Sequence, residues 1–272
     1  MSMKKNFYRL VFCIIFCVLF TSCVKTSGEK EGYGSEFSIS PMDSSVRVSK
    51  NLITIFPSEN AVTYTLSGYF CGQIIVSSKN TVLKLDNAYI ENPFGKSAIK
   101  CKTKTEISSV GGSVNYIVSK GRSYERQGAL HSQKGVVIGG SGTLYVKGNV
   151  CHAVEATDVK LKGSGNCFFE GSKKGSAICC ENFFVDEDKN FSCYLLNSKN
   201  GIKADQTINI ASGNFYIQGN SVALKTENHM SQPKKNHFIK ISGGNFYLKD
   251  NDVFYLTDDG KFSTIGANFS NE

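Results

Sequence analysis

The feature that most constrains this chain is a short element that returns at a fixed interval. "GALHS" (Gly128–Ser132), "HAVEA" (His152–Ala156), "SAICC" (Ser176–Cys180) and "NGIKA" (Asn200–Ala204) each set an aliphatic residue behind a small one, and Leu130, Val154, Ile178 and Ile202 lie 24 residues apart. "SAIKC" (Ser97–Cys101) and "VALKT" (Val222–Thr226) extend the series through Ile99 and Leu224, and "DVFYL" (Asp252–Leu256) is a looser copy with Phe254 in the same place. Within a period, three short runs of alternating character are separated by Gly, Ser and Asn, as in "GIKA", "TINI" and "NFYIQ". Three strands of three to five residues in a turn of about 22 to 24 is the arithmetic of a parallel β-helix, each strand pairing with its counterpart one turn on. An up-and-down barrel needs longer strands and shows no such self-similarity. Four prolines with no sustained helical periodicity argue against a helical solenoid. The expected fold is all-β, a right-handed parallel β-helix.

Alternation assigns faces. In the first strand of each turn the aliphatic residue points inward, as do Ser132, Ala156, Cys180, Ala204 and Thr226, while His131, Glu155, Cys179, Lys203 and Lys225 point out. The second strand places Val136/Ile138, Val159/Leu161, Phe183/Val185, Ile208/Ile210 and Ile239/Ile241 inside, with Lys160, Asn209 and Lys240 outside. The third strand, "TLYVK", "NCFFE", "SCYLL", "NFYIQ" and "NFYLK", leaves Tyr145, Phe168, Tyr194, Tyr216 and Tyr247 outward on successive turns about 4.8 Å apart.

Such an external aromatic row has three readings at this point: a shallow platform for a sugar polymer, a stack that stabilises the sheet by itself, or a protein interface. Lys203 and Lys225, on adjacent turns of one face, are either a solvated face that discourages edge pairing or a cationic strip for an acidic glycan. Asp250, Asp252, Asp258 and Asp259 near the C-terminus are candidates for calcium, with solvation of a terminal cap as the alternative. The four histidines have no nucleophile or acid at an informative spacing, and no GxSxG, HExxH or P-loop occurs. No catalytic residue is assigned.

The N-terminus carries Lys4, Lys5 and Arg9, then the apolar "LVFCIIFCVLF", which is too short to span a bilayer and reads as a secretory signal peptide over 1–22. "LFTSC" resembles a bacterial lipoprotein box, which implies lipidation of Cys23 and a membrane anchor at the cell envelope, at the outer membrane or cell surface among other sites. The polar, Gly/Ser-rich residues 23–45 read as a flexible tether, and 46–272 as the β-helix. A formal net charge of +8 suits acidic partners, of which export makes nucleic acid the least favoured. Beyond Cys23 seven cysteines follow the leader, an odd number without CxxC clusters, so buried free thiols are expected rather than a disulfide framework or zinc site.

With these stretches in hand, "YTLSGYFCGQIIVSSKNTVLKLDNAYIENPFGKSAIKC" (Tyr64–Cys101), "GALHSQKGVVIGGSGTLYVKG" (Gly128–Gly148) and "NGIKADQTINIASGNFYIQG" (Asn200–Gly219) together resemble bacterial exported β-helix proteins described as carbohydrate-binding domain-containing. The resemblance covers roughly Val46 to the C-terminus. It implies non-catalytic binding of an acidic, uronate-rich polysaccharide of the polygalacturonate type, with calcium. The family often sets Asp before the "GI" element, whereas this chain has Gln127, Gly175 and Lys199 there and keeps acids only at Asp250 and Asp252.

Overall fold

The computed structural model describes residues 37–58, 60–121, 127–186, 190–227, 237–258 and 260–271. The leader 1–22, Cys23 and most of the expected tether lie outside these residues. The described residues contain strands and no helix, and the strands join one long, mainly parallel sheet that does not close into a barrel. This is the expected parallel β-helix, belonging to a compact unit over Gly32–Glu272.

Each turn contributes three strand segments, and each segment pairs in parallel with its equivalent a turn later. In the first segment the register runs Ile53, Ile74, Ile99, Leu130, Val154, Ile178, Ile202, Leu224. All eight are fully buried. Two turns at the N-terminal end of the expected 46–272 body, through Ile53 and Ile74, carry no small-aliphatic signature and stand outside the repeat series read from the sequence. The second segment aligns Leu83, Ile107, Ile138, Leu161, Val185, Ile210 and Ile241 in the same way. Burial of each such side chain is worth about 1.5–3 kcal/mol. The stacked aliphatic columns are therefore what holds the turns in register, because a one-residue slip would turn every one of them outward.

At two places the structure corrects the expectation. The body begins earlier than Val46: the strand Ser38–Ser40 pairs with Thr65–Ser67, and Phe37 and Ile39 enter the core, so residues 37–45 belong to the fold and not to a tether. At the other end, Leu224 pairs with Tyr255, one residue beyond the expected Phe254. Phe254 instead packs edge-on against Phe262 and Phe269, with ring centroids 6.0 and 5.2 Å away. Among the described residues no turn stacks on this one, and the large ring takes the place that Ala223 holds one turn earlier.

The corner before the third segment explains why "GNFY" recurs. Gly213 has φ +99 and its Cβ position would lie 2.4 Å from Cζ of the buried Phe191. A side chain there meets both a backbone conformation foreign to L-residues and an occupied core. Gly213→Ala is expected to cost about 2–4 kcal/mol, measurable as a lowered urea midpoint. The opposite corner is held by side-chain amides: buried Asn220 donates to the carbonyls of Leu195 (3.0 Å) and Gln218 (3.1 Å), and the half-buried Asn251 donates to that of Ile217 (2.7 Å). No disulfide joins the seven described cysteines, of which Cys101, Cys151, Cys167, Cys180 and Cys193 are buried. Burial pushes the Cys101 and Cys167 thiols up to about 12, as befits small apolar residues.

Candidate functional site

The third segment carries the aromatic column, and it is longer than the sequence suggested. Tyr145, Phe168, Tyr194, Tyr216 and Tyr247 are in register on successive turns. Tyr69, Tyr89 and Tyr116 continue the same column toward the N-terminal end. Eight rings thus span about 34 Å at about 4.8 Å per turn. The three added tyrosines sit in "GYF", "AYI" and "NYI". Their signal was the neighbouring Phe70, Ile90 and Ile117 in the buried column, which the more conspicuous "NFY" overshadowed.

Ring geometry fixes what the column offers to a ligand. From Tyr116 to Tyr247 the centroids lie 4.1 to 4.9 Å apart with planes 8 to 16° from parallel. Rings that close and that parallel are turned face to face, so each inner ring gives both faces to its neighbours. What points outward is ring edge and phenol. This corrects the platform expectation, in which a sugar lies on the ring faces. Only toward the N-terminal end does the stack open, with Tyr69 and Tyr89 at 51° and Tyr89 and Tyr116 at 30°. Stacked pairs of this kind contribute about 0.5–1.5 kcal/mol each beyond area burial, so the column also stiffens the sheet.

Burial, with mutual repulsion of the phenolates at Tyr145 and Tyr194, raises the ionisation of Tyr116, Tyr145 and Tyr194 above the usual 10. An unfolded chain then loses those protons first as pH rises. The column's contribution is fully present below pH 10 and declines above it. Thermal melts at pH 9 and pH 11 are expected to show a lower Tm at the higher pH.

The column is flanked by polar rows. On one side stand Thr143, Asn166, Ser192, Asn214, Asn245 and Asn268, in register, with Asn245 donating to Asn214 Oδ1 (2.8 Å) and Asn268 to Asn245 Oδ1 (2.9 Å). On the other stand Lys147, Glu170, Leu196, Gln218 and Lys249. At that edge Lys147, Asn149, Glu170, Ser172, Lys173 and Asn197 line an open depression of about 350 Å3. Lys147 Nζ lies 3.0 Å from Glu170 Oε2, whereas Lys173 Nζ reaches the Gly219 carbonyl at 3.5 Å.

Lys203 and Lys225 stand where alternation expected them, and what the sequence did not show is their partner. They lie on the first-segment face, in register with each other, and one carboxylate holds both: Glu227 Oε1 is 2.7 Å from Lys203 Nζ, and Oε2 contacts Lys225 Nζ. Burial works against the Glu227 carboxylate, yet hydrogen bonds from the two ammoniums bring it from 4.5 down to about 2. This clamp is present above pH 4.5 and is lost as pH falls toward 2. Because Glu227 is about one-third exposed, Glu227→Gln is expected to cost less than about 1 kcal/mol, read in a denaturant titration at pH 7 and vanishing at pH 2.

The same face holds a second depression, of about 360 Å3, beside His131, Glu155, Cys179, Glu181 and Asp205. Glu155 accepts from Gly128 N at 2.9 Å and lies 3.3 Å from His131 Nδ1. Its neighbour His152 is pushed down by burial, and its Nδ1 accepts from Ser176 N at 2.9 Å, which leaves the ring neutral with its proton on Nε2. Alternation had already set His131, Glu155 and Cys179 in one outward column, whereas His152, Glu181 and Asp205 were not read with them.

Asp250 and Asp252 follow the third-segment strand Asn245–Lys249. Asn251 between them is committed to the corner, with Oδ1 accepting from Asn220 N at 3.1 Å and Nδ2 donating to the Ile217 carbonyl. Among the described residues no three His, Cys, Asp or Glu side chains converge as metal ligands.

Comparison with known proteins gives a consistent picture. No curated protein matches the sequence. A solved structure described as the polysaccharide lyase-like protein from C. thermocellum, a gadolinium derivative, aligns over 84% of this chain and 91% of its own, with a TM-score of 0.54 at 20% identity, a likeness of fold. A family model described as carbohydrate-binding domain-containing protein matches residues 49–166, the stretch that carries the N-terminal turns and the column from Tyr69 to Tyr145.

Proposed function

We propose that this chain is an envelope lipoprotein, lipidated at Cys23, that binds a polysaccharide without cleaving it, along the face of the aromatic column. The observation that carries the reading is the column itself: a straight row of ring edges and phenols, flanked by amides on one side and by a depression with lysines on the other. A linear polymer meets the same chemistry at every turn of such a face. The family model over residues 49–166 supports carbohydrate as the ligand class. Lys173 and Lys249 beside the column favour an acidic, uronate-rich polymer, in place of Lys203 and Lys225, which lie on another face under Glu227. In this reading neutralisation of the polymer's carboxylates falls to the lysines. The absence of cleavage is supported by the family model, whose description is carbohydrate binding.

The test is a glycan array probed with the full chain in detergent, with calcium and with chelator, followed by size analysis of any retained polymer. Binding to uronate-rich polymers that survives chelation, with polymer length unchanged, is the expected result. Unsaturated chain ends would make it a lyase, and silence across the array would remove carbohydrate binding.

A further inference from the structure

The corner between the first and second segments changes charge along the helix. On the turns through Ile74, Ile99 and Leu130 it is made by residues 77–81, 102–105 and 133–135, with Lys79, Lys102, Lys104 and Lys134 exposed and no Asp or Glu. Lys84, outward between the buried Leu83 and Leu85, stands on the adjoining second-segment face. Among the described residues none of these five ammoniums is in an ion pair, whereas Lys160, Lys162, Lys203 and Lys225 on later turns each meet a carboxylate. Glu106, which follows Thr105, is held by Lys162 at 2.9 Å. From the turn through Val154 onward the same corner carries Asp158, Glu181 and Asp205. One turn before Lys79, Phe56 is 38% exposed at this corner, with the Arg47 guanidinium 5.5 Å from its ring centroid. An acidic polymer running along the corner would be attracted on the early turns and repelled on the later ones. An anionic plane at the N-terminal end meets only the attraction.

We propose that this corner docks the N-terminal turns on the anionic phospholipid surface to which the chain is anchored. The inference rests on the reading of Cys23 as the lipidated residue. The chain between Cys23 and Phe37 reaches at most about 50 Å when fully extended. The lysines lie within about 15 Å of the turn through Ile53 along the axis, so the anchor keeps them close to the bilayer. Each lysine brought near such a surface multiplies the docked population about fivefold, and the attraction acts over about 10 Å at about 0.1 M salt. The acyl chains hold the molecule to the membrane, and the basic corner decides which side of it faces the headgroups. Of the three segments, the third is the one that does not adjoin this corner. Docking here therefore leaves the aromatic column turned away from the membrane, where a polymer can reach it.

The test is lysine acylation of the full chain reconstituted in vesicles, read by mass spectrometry, with phosphatidylcholine alone and with added phosphatidylglycerol. Lys102, Lys104 and Lys134 are expected to react about tenfold more slowly on the anionic vesicles, and high salt is expected to remove the difference. Lys96, Lys174 and Lys199, exposed at the corner that follows the third segment, are expected to react alike on both. In a variant carrying Lys102→Glu, Lys104→Glu and Lys134→Glu, all at exposed positions, Lys79 and Lys84 are expected to lose their protection on anionic vesicles. Equal reactivity of the corner on both kinds of vesicle, equal protection of the three reference lysines, or protection of Lys79 and Lys84 that survives the variant, overturns the proposal. Stronger protection of the corner by polygalacturonate than by anionic vesicles also overturns it, and assigns the corner to a glycan. An unmodified Cys23 in the same spectra would remove the anchor on which the inference rests. A silent glycan array with the corner protected would remove the carbohydrate reading and leave this one standing.

Discussion

Replacing Tyr194 and Tyr216 together by alanine is expected to abolish polysaccharide retention while the β-helix remains folded. Both rings lie at the centre of the column, 4.5 Å apart, with Phe168 at 4.1 Å from the first and Tyr247 at 4.6 Å from the second. Their removal breaks three stacked contacts and opens a gap of two turns, about 10 Å, in the row that a linear polymer would follow. The stability cost follows from the stacking magnitude, about 2–4 kcal/mol in all. That is tolerable for a fold whose three buried columns are untouched. The comparison variant is Tyr194→Phe with Tyr216→Phe, which keeps the stack and removes two phenols. Affinity electrophoresis in a polysaccharide gel separates the two roles: retention lost in both variants assigns recognition to the phenols, and retention lost in the alanine variant alone assigns it to the continuous edge. Retention intact in both would remove the column from the binding site.

The second large effect is on stability. Phe215→Ala is expected to lower the unfolding free energy by about 3–5 kcal/mol. Phe215 is fully buried, stacks on Phe246 at 5.0 Å with planes 7° apart, and meets Phe191 edge-on at 5.7 Å. Both rings lie on neighbouring corners and turns, so the cavity cannot collapse without displacing a register that runs the length of the helix. In a solenoid, stability is a sum over turns and the contacts between them, and the damage falls on the C-terminal turns first. Urea unfolding with hydrogen exchange reads this as early loss of protection beyond Asn214. Uniform loss along the chain would mean that the turns unfold as a single unit.

How much of this was legible in the residues depends on where each side chain points. The buried columns from Leu130 to Leu224 were readable because an inward aliphatic and an outward polar residue alternate there with a constant step, and the pairing follows that step residue for residue. The turns through Ile53 and Ile74 were not, since "LITI" and "QIIV" put apolar residues on both faces and erase the alternation. Tyr255 was misplaced by one position for a related reason: "VFY" offers three large residues in a row, and the end of a stack relaxes the rule about which one goes inside. The direction in which the stacked rings face, and the clamp of Lys203 and Lys225 by Glu227, belong to side-chain geometry between turns. Residue order carries the first only as a repeated Tyr and the second only as a Glu two positions after a Lys.

The account turns on contact between a polysaccharide and the aromatic column, and the chain has no tryptophan, so its intrinsic emission comes from tyrosine. The most direct measurement is a titration of the full chain with an acidic oligosaccharide, followed by tyrosine fluorescence and by calorimetry in parallel. The account predicts a saturable fluorescence change that tracks the heat of binding and disappears in the Tyr194→Ala, Tyr216→Ala double variant. Heat of binding that saturates while tyrosine emission stays constant, or that persists in the double variant, would contradict it.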